Sequence, residues 1–115
     1  MGMRRNIAIK YAYGEKKEDN QTVYFYTHWG AEGLEQTLAT SLTRGRERWD
    51  DESYLARIIF SDMIEGQEKS LTGYGIAPYP IDEEYPTLNV DVAKQTVNDV
   101  PFEDFLKNPQ MFAVD

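Results

Sequence analysis

The hydrophobic pattern of the chain changes period near Ala31, and that change decides which class of fold is open to it. Before it, Ile7, Ile9, Tyr11 and Tyr13 alternate with Ala8, Lys10 and Ala12, the period-two signature of a strand with one buried face. A polar stretch from Gly14 to Gln21 follows, rich in Glu, Lys, Asp and Asn. Thr22 to Trp29 then reads as a second strand, its β-branched and aromatic residues alternating around Tyr24, Phe25 and Tyr26. The two form a hairpin with a charged tip. From Ala31, Leu34, Leu38 and Leu42 recur at four-residue spacing, an apolar stripe on a helix that runs to about Arg44 and stops at Gly45. Its polar side carries Glu32, Glu35, Gln36 and Thr40.

Asp50, Asp51 and Glu52 place negative charge where a second helix begins and its amide groups are unpaired, with Asp50 or Asp51 as the N-cap. That helix turns Leu55, Ile58, Ile59 and Met63 inward and ends near Glu65-Gly66. Thr72 to Tyr79 is short, glycine-broken and followed by Pro80, which makes it an edge strand or a strand entering a loop. Leu88, Val90 and Val92, then Gln95 to Val97, read as a hairpin turned around Ala93-Lys94. Phe102, Phe105 and Leu106 belong to a short C-terminal helix that Pro101 opens. The order ββααβββα predicts an α+β fold: an antiparallel sheet of about five strands, two central helices packed on one face, and a short C-terminal helix, all in one domain over 1–115. No internal repeat or linker divides the chain.

A chain of 115 residues buries roughly two thirds of the surface its unfolded form exposes, so its core needs no staple. Cysteine is absent, which removes disulfides, thiol nucleophiles and thiolate-held metal clusters and fits a reducing cytoplasm. No apolar run reaches the roughly 18 residues of a membrane span, and no apolar core of a secretion signal follows Met1-Gly2-Met3-Arg4-Arg5-Asn6. A soluble protein of the cytoplasm is therefore expected. The net charge of −8 is uneven: residues 70–115 carry eight acids against Lys94 and Lys107, and residues 1–69 twelve acids against ten bases. That field disfavours direct binding to a nucleic-acid backbone and favours a basic protein surface, although acidity also serves solubility.

Chemistry-bearing residues are few. His28 is the one imidazole and no glycine-flanked serine elbow accompanies it, so a triad is not supported. Asp82-Glu83-Glu84 is the densest acidic run, but it lacks the spaced oxygen ligands of a calcium loop and reads as a solvated loop between Pro80 and Pro86. Thr72-Gly73-Tyr74-Gly75 has neither the third glycine nor the lysine of a phosphate loop. It reads instead as a strand whose glycines admit a close neighbour, with Tyr74 and Tyr79 placed to line a groove. No cofactor or metal is called for.

The strongest candidates are His28 and Trp29 at a strand end and the corner Arg44, Arg46, Arg48 and Trp49. Guanidinium groups fork onto phosphate or carboxylate while an indole offers a stacking plane. A purely structural reading is entirely adequate and carries the larger weight: the arginines complement the first helix dipole, Arg48 pairs with Asp51 or Glu52, and Trp49 staples the second helix against Tyr54 or Leu55.

These same segments carry a resemblance. His28-Trp29-Gly30, Arg44-Gly45-Arg46-Glu47-Arg48-Trp49-Asp50-Asp51, Tyr54 to Ile64, Thr72-Gly73-Tyr74-Gly75-Ile76 and Val90-Asp91-Val92 with Gln95-Thr96-Val97 resemble a group of small uncharacterised bacteriophage proteins, over most of residues 7–98. The resemblance implies an origin, a phage accessory protein in the bacterial host cytoplasm, and carries over no activity or site residue. Two roles then compete beside an enzyme that the sequence does not mark. One is a non-enzymatic modulator that binds a host protein through the acidic C-terminal third and exposed aromatics. The other is a protein that sequesters a nucleotide-like anion, with Arg44, Arg46 and Arg48 on phosphate and Trp29, Trp49, Tyr24 or Tyr26 stacking the base. Apolar residues make up 41% of the chain, which leaves room for a homodimer that places two arginine corners in one cleft.

Overall fold

The early strands form where the alternation places them. In the computed structural model, which describes residues 3–12 and 20–114, β1 (Arg5–Ala12) and β2 (Asn20–Thr27) pair antiparallel, with Ile7 opposite Phe25 and Ile9 opposite Val23. Most of the charged tip expected between Gly14 and Gln21, and Tyr13 of the strand pattern, lie outside the described residues. The first helix, α1 (Leu34–Arg44), starts three residues later than the leucine spacing suggested. Gly45 ends it without a left-handed backbone. A Cβ there would meet the Ser41 carbonyl at 3.0 Å and the Leu55 and Ile58 methyls at 3.3 Å, so the glycine serves the close approach of the next helix rather than a positive φ.

A single 3₁₀ turn over Arg46–Arg48 leads to α2 (Glu52–Met63). Asp51 is its N-cap and accepts from the Tyr54 amide at 3.1 Å, satisfying one of the orphan donors of the first turn. Then come β3 (Tyr74–Ala77), β4 (Leu88–Asp91), β5 (Thr96–Val97), β6 (Val100–Pro101) and the C-terminal helix α3 (Phe102–Lys107), with a last 3₁₀ turn over Pro109–Phe112. The expected hairpin around Ala93-Lys94 is present, with Val90 opposite Val97 and Asp91 opposite Thr96.

The fold is α+β, but the sheet is mixed and has six strands, in the order β3-β2-β1-β4-β5-β6. Two features overturn the expected five-stranded antiparallel arrangement. Asn98 and Asp99 both have positive φ, 48° and 69°, which folds Val97 back onto Val100 in a two-residue turn and adds β6. Pro101 therefore closes a strand immediately before α3, where it stands at the N-cap. β4 runs parallel to β1, Ile7 opposite Leu88 and Ile9 opposite Val90. A parallel pair needs a crossover; the chain from β1 to β4 passes through β2, α1, α2 and β3, and its last leg, residues 78–87, returns from β3 to β4 without a helix.

That crossover is tied to β1 by side chain and backbone. Asn6, fully buried, mimics a strand neighbour: its Nδ2 donates to Ile81 O at 2.8 Å and its Oδ1 accepts from Ile81 N at 3.2 Å. The Glu84 and Tyr85 amides both donate to Arg4 O, at 3.0 and 3.3 Å. Glu83 accepts from Asn6 Nδ2 and Thr87 Oγ1, both at 2.8 Å through Oε2. The run Asp82-Glu83-Glu84 is thus only partly the solvated loop it resembles in sequence.

One face of the sheet, built from Ile7, Ile9, Phe25, Leu88, Val90 and Val97, meets Leu38 and Leu42 of α1, Leu55 and Ile59 of α2 and Phe102 and Phe105 of α3 in one buried cluster. All three helices pack on that face. Glu35, expected on the polar side of α1, is 2% exposed and faces the 2%-exposed Arg5 at 3.5 Å. Arg5 also donates to the carbonyls of Pro86 at 2.7 Å, Phe112 at 3.0 Å and Ala31 at 3.4 Å. Four chain segments therefore converge on one guanidinium.

Candidate functional site

The residues singled out by sequence divide into two groups at opposite ends of α1, an 11-residue helix and so about 16 Å long at about 1.5 Å per residue. At its C-terminal end lie Arg44, Arg46, Arg48 and Trp49. Arg44 donates to Asp62 Oδ1 at 2.9 Å, and the other oxygen of Asp62 accepts from Ser41 Oγ at 2.7 Å. One carboxylate thereby joins α1 to α2. Arg46 pairs with Glu103 of α3 and lies over the Trp49 ring, 4.5 Å from its centroid. Arg48 lies over Tyr54 at 4.9 Å; no ion pair from it to Asp51 or Glu52 is formed.

Trp49 sits against Phe102 in edge-to-face contact at 5.0 Å, and its indole N–H donates to Leu42 O at 2.8 Å. It satisfies one of the last carbonyls of α1 and anchors the turn against α3, in place of the staple to Tyr54 or Leu55. The plane expected to stack a base is covered by Arg46 on one face. Each arginine of the corner already has a partner within the chain.

At the other end His28, Trp29 and Tyr74 come together, as β2 and β3 run out side by side. The His28 and Trp29 rings meet edge to face at 5.2 Å, and Trp29 meets Tyr74 likewise at 6.4 Å. Tyr26 Oη and His28 Nδ1 are 2.9 Å apart. Burial, with Asp82 and Glu84 adding to it and Arg4 opposing, raises the Tyr26 phenol above its ordinary value. The phenol therefore keeps its proton at neutral pH and shares a hydrogen bond with the His28 ring. Gly73, at φ +98°, lets the Trp29 ring lie where a Cβ would be only 2.4 Å from Cζ2. This is the close neighbour that the glycines of Thr72 to Gly75 were expected to admit.

Exposed apolar side chains recur along this edge. Among the described residues six large hydrophobic side chains are exposed, and four of them, Trp29, Leu71, Ile76 and Tyr79, lie on or beside β3. Leu71 is 100% exposed and Ile76 59%. Isolated exposed apolar groups are ordinary, whereas a gathering of them marks an interaction surface. Sequence reasoning reached Trp29, Tyr74 and Tyr79 by their aromatic character but passed over Leu71 and Ile76, because nothing in an alternating pattern distinguishes an edge strand left uncovered from one that a helix covers.

The sheet face turned away from the helices holds a cleft of about 470 Å³ lined by Lys10, Tyr24, Asn89, Asp91, Asn98 and Asp99 among others. Several of its polar groups serve the fold. Asp91 accepts from the Lys94 amide at 3.0 Å, and Asn98 Oδ1 accepts from the Asn89 amide at 2.7 Å. No group of three or more metal-ligating side chains occurs among the described residues, and no described helix is long and apolar enough to cross a membrane. Comparison with protein-family models, with curated proteins and with solved structures gives no match. The class defined by geometry is thus an α+β domain with helices on one face of a mixed sheet and an uncovered apolar strand at one edge.

Proposed function

We propose that the chain is a non-enzymatic phage accessory protein that binds and modulates a host protein in the bacterial cytoplasm, engaging it through the surface around β3. The observation that carries this reading is the collection of Trp29, Leu71, Ile76 and Tyr79 at one sheet edge, exposed to solvent. Aromatic anchors of this kind dominate protein interfaces. The phage origin rests on the sequence resemblance, and the acidic charge supports a basic surface as partner. The alternative, sequestration of a nucleotide-like anion at Arg44 to Trp49, has less support, since a ligand there would have to displace Asp62, Glu103 and the Arg46 stack.

Capture from bacterial lysate followed by native mass spectrometry separates the two. The expected result is a stoichiometric protein partner retained by wild type and by the Arg46→Ala protein and lost by the Trp29→Ala, Ile76→Asp protein. A co-purifying nucleotide-sized mass that disappears with Arg46→Ala would overturn the proposal in favour of the anion reading.

A further inference from the structure

We infer that β3 is a docking edge for strand addition, and that its occupant is an extended apolar segment flanked by basic residues on another protein. This deepens the host-protein reading and rests on it. The backbone supplies the first observation. His28 N donates to Gly73 O at 2.8 Å, and the register continues through Tyr26 opposite Gly75 and Tyr24 opposite Ala77. Hydrogen-bonded and non-hydrogen-bonded pairs alternate in antiparallel ladders. Gly75 and Ala77 therefore direct their amides and carbonyls at β2, while Tyr74 and Ile76 direct theirs outward. β3 ends the sheet, so these outward groups form a ready row for a further strand. Tyr74 and Ile76 also share the helix-side face of the sheet, opposite Thr27 and Phe25, and give an added strand apolar side chains to lie against.

Charge selects the occupant. Glu65 and Glu68 lie in the segment that leads to Leu71, Glu32 lines the depression beside Tyr74, and Asp82 acts on Tyr26 one strand inward, where Arg4 opposes it and pairs with Glu84 at 3.2 Å. Lys69 is the one lysine or arginine in the segments 28–33, 65–72 and 78–84, and with Arg4 it leaves the rim acidic on balance. A second copy of this chain would bring the same acidic rim and a net charge of −8 against itself, so self-pairing is opposed while a basic segment is attracted. Pro78 limits the edge at its far end by removing a donor, which confines the added strand to the stretch beside residues 72–77.

The test uses the full chain and two dye-labelled peptides, one alternating lysine with valine and one alternating glutamate with valine, read by fluorescence anisotropy at low salt. The lysine peptide is expected to bind saturably and at least about tenfold more tightly than the glutamate peptide, with the difference shrinking as salt screens the rim. Ile76→Pro removes an outward amide without touching the β2 ladder, a place where a sheet edge tolerates proline. It is expected to weaken binding about tenfold or more relative to Ile76→Val, with circular dichroism unchanged. Equal binding of the two peptides, no binding of either, or equal binding by Ile76→Pro and Ile76→Val overturns the inference. A wild-type dimer in sedimentation that Ile76→Pro dissolves also overturns it, by giving the edge to a second copy. If the Ile76→Pro protein still captures a host partner from lysate, strand addition fails while the host-protein reading stands.

Discussion

Replacing Arg5 by methionine keeps the aliphatic stem that β1 buries and removes the guanidinium donors that reach α1, the loop before β4 and the C-terminal turn. The guanidinium is 2% exposed and holds Glu35, also 2% exposed, together with the carbonyls of Pro86, Ala31 and Phe112. In Arg5→Met the Glu35 carboxylate stays buried without its counter-charge, a loss of about 3–5 kcal/mol when one partner of a buried pair is removed. Each carbonyl that water does not reach adds on the order of 1 kcal/mol. Against a total stability of about 5–15 kcal/mol for a domain, the variant stands near the threshold of folding. At roughly 4 °C per kcal/mol for a chain of this size, melting is expected to fall by about 12–20 °C.

Burial pushes the Arg5 pKa below its ordinary value, and Glu35, then Glu83, pull it back up. The fold thus bears a desolvation cost that the ion pair offsets only in part. Arg5→Met combined with Glu35→Leu removes both charges and is expected to recover about 2 kcal/mol or more of the single-variant loss, because apolar replacement of a whole buried pair is near neutral. Urea unfolding followed by circular dichroism reads both values, with an unchanged denaturant slope as the check that the unfolded states are comparable. A single-variant loss under about 1 kcal/mol, or a double variant as unstable as the sum of the singles, would refute the reasoning: Arg5 would then be reached by water, not locked among four segments.

Two further outcomes test local assignments. Gly73→Ala places a methyl on a backbone at φ +98° and against the Trp29 ring; a loss of about 1–3 kcal/mol with a shift in tryptophan emission is expected, and an unchanged melt and spectrum would show that Gly73 does not position Trp29. Asp51→Ala is expected to cost about 1 kcal/mol in urea unfolding and Asp50→Ala less than about 0.5, since Asp51 alone of the two accepts from the Tyr54 amide; equal losses would move the cap.

The parts of the fold legible in sequence are those in which one chain segment settles its own geometry. The alternation of Ile7, Ile9 and Phe25 and the spacing of Leu34, Leu38 and Leu42 each declare an apolar face without reference to anything distant. Asp51 and the Ala93-Lys94 turn are local chemistry of the same kind. The parallel pairing of β1 with β4 is not, because Leu88 to Asp91 carries the same alternation whichever neighbour it joins. The contact that brings the incoming segment beside β1, Asn6 holding Ile81, spans 75 positions. Glu35 misled for a related reason: its place on α1 is polar by residue type, and only Arg5, 30 positions earlier, makes burial tolerable. The candidate residues were found as aromatic and basic clusters, but whether Trp29 meets Trp49 was not legible in the sequence; α1 holds them apart.

The two edges of the sheet then argue for function more strongly than any single residue. β6 is two residues long and one of them is Pro101, which has no amide to offer; short, proline-bearing edges are how sheets avoid partners. β3 is four residues long, has exposed Ile76 within it, and is flanked by exposed Leu71 and Tyr79. Its one common safeguard is charge, and that charge is acidic on balance: Glu65, Glu68 and Asp82 outnumber Lys69, while Arg4 holds Glu84, so the rim repels another copy of the chain and attracts a basic one. An edge closed to itself by like charge but left open in backbone and apolar surface is selective in its partners, which is the property a small binding protein requires.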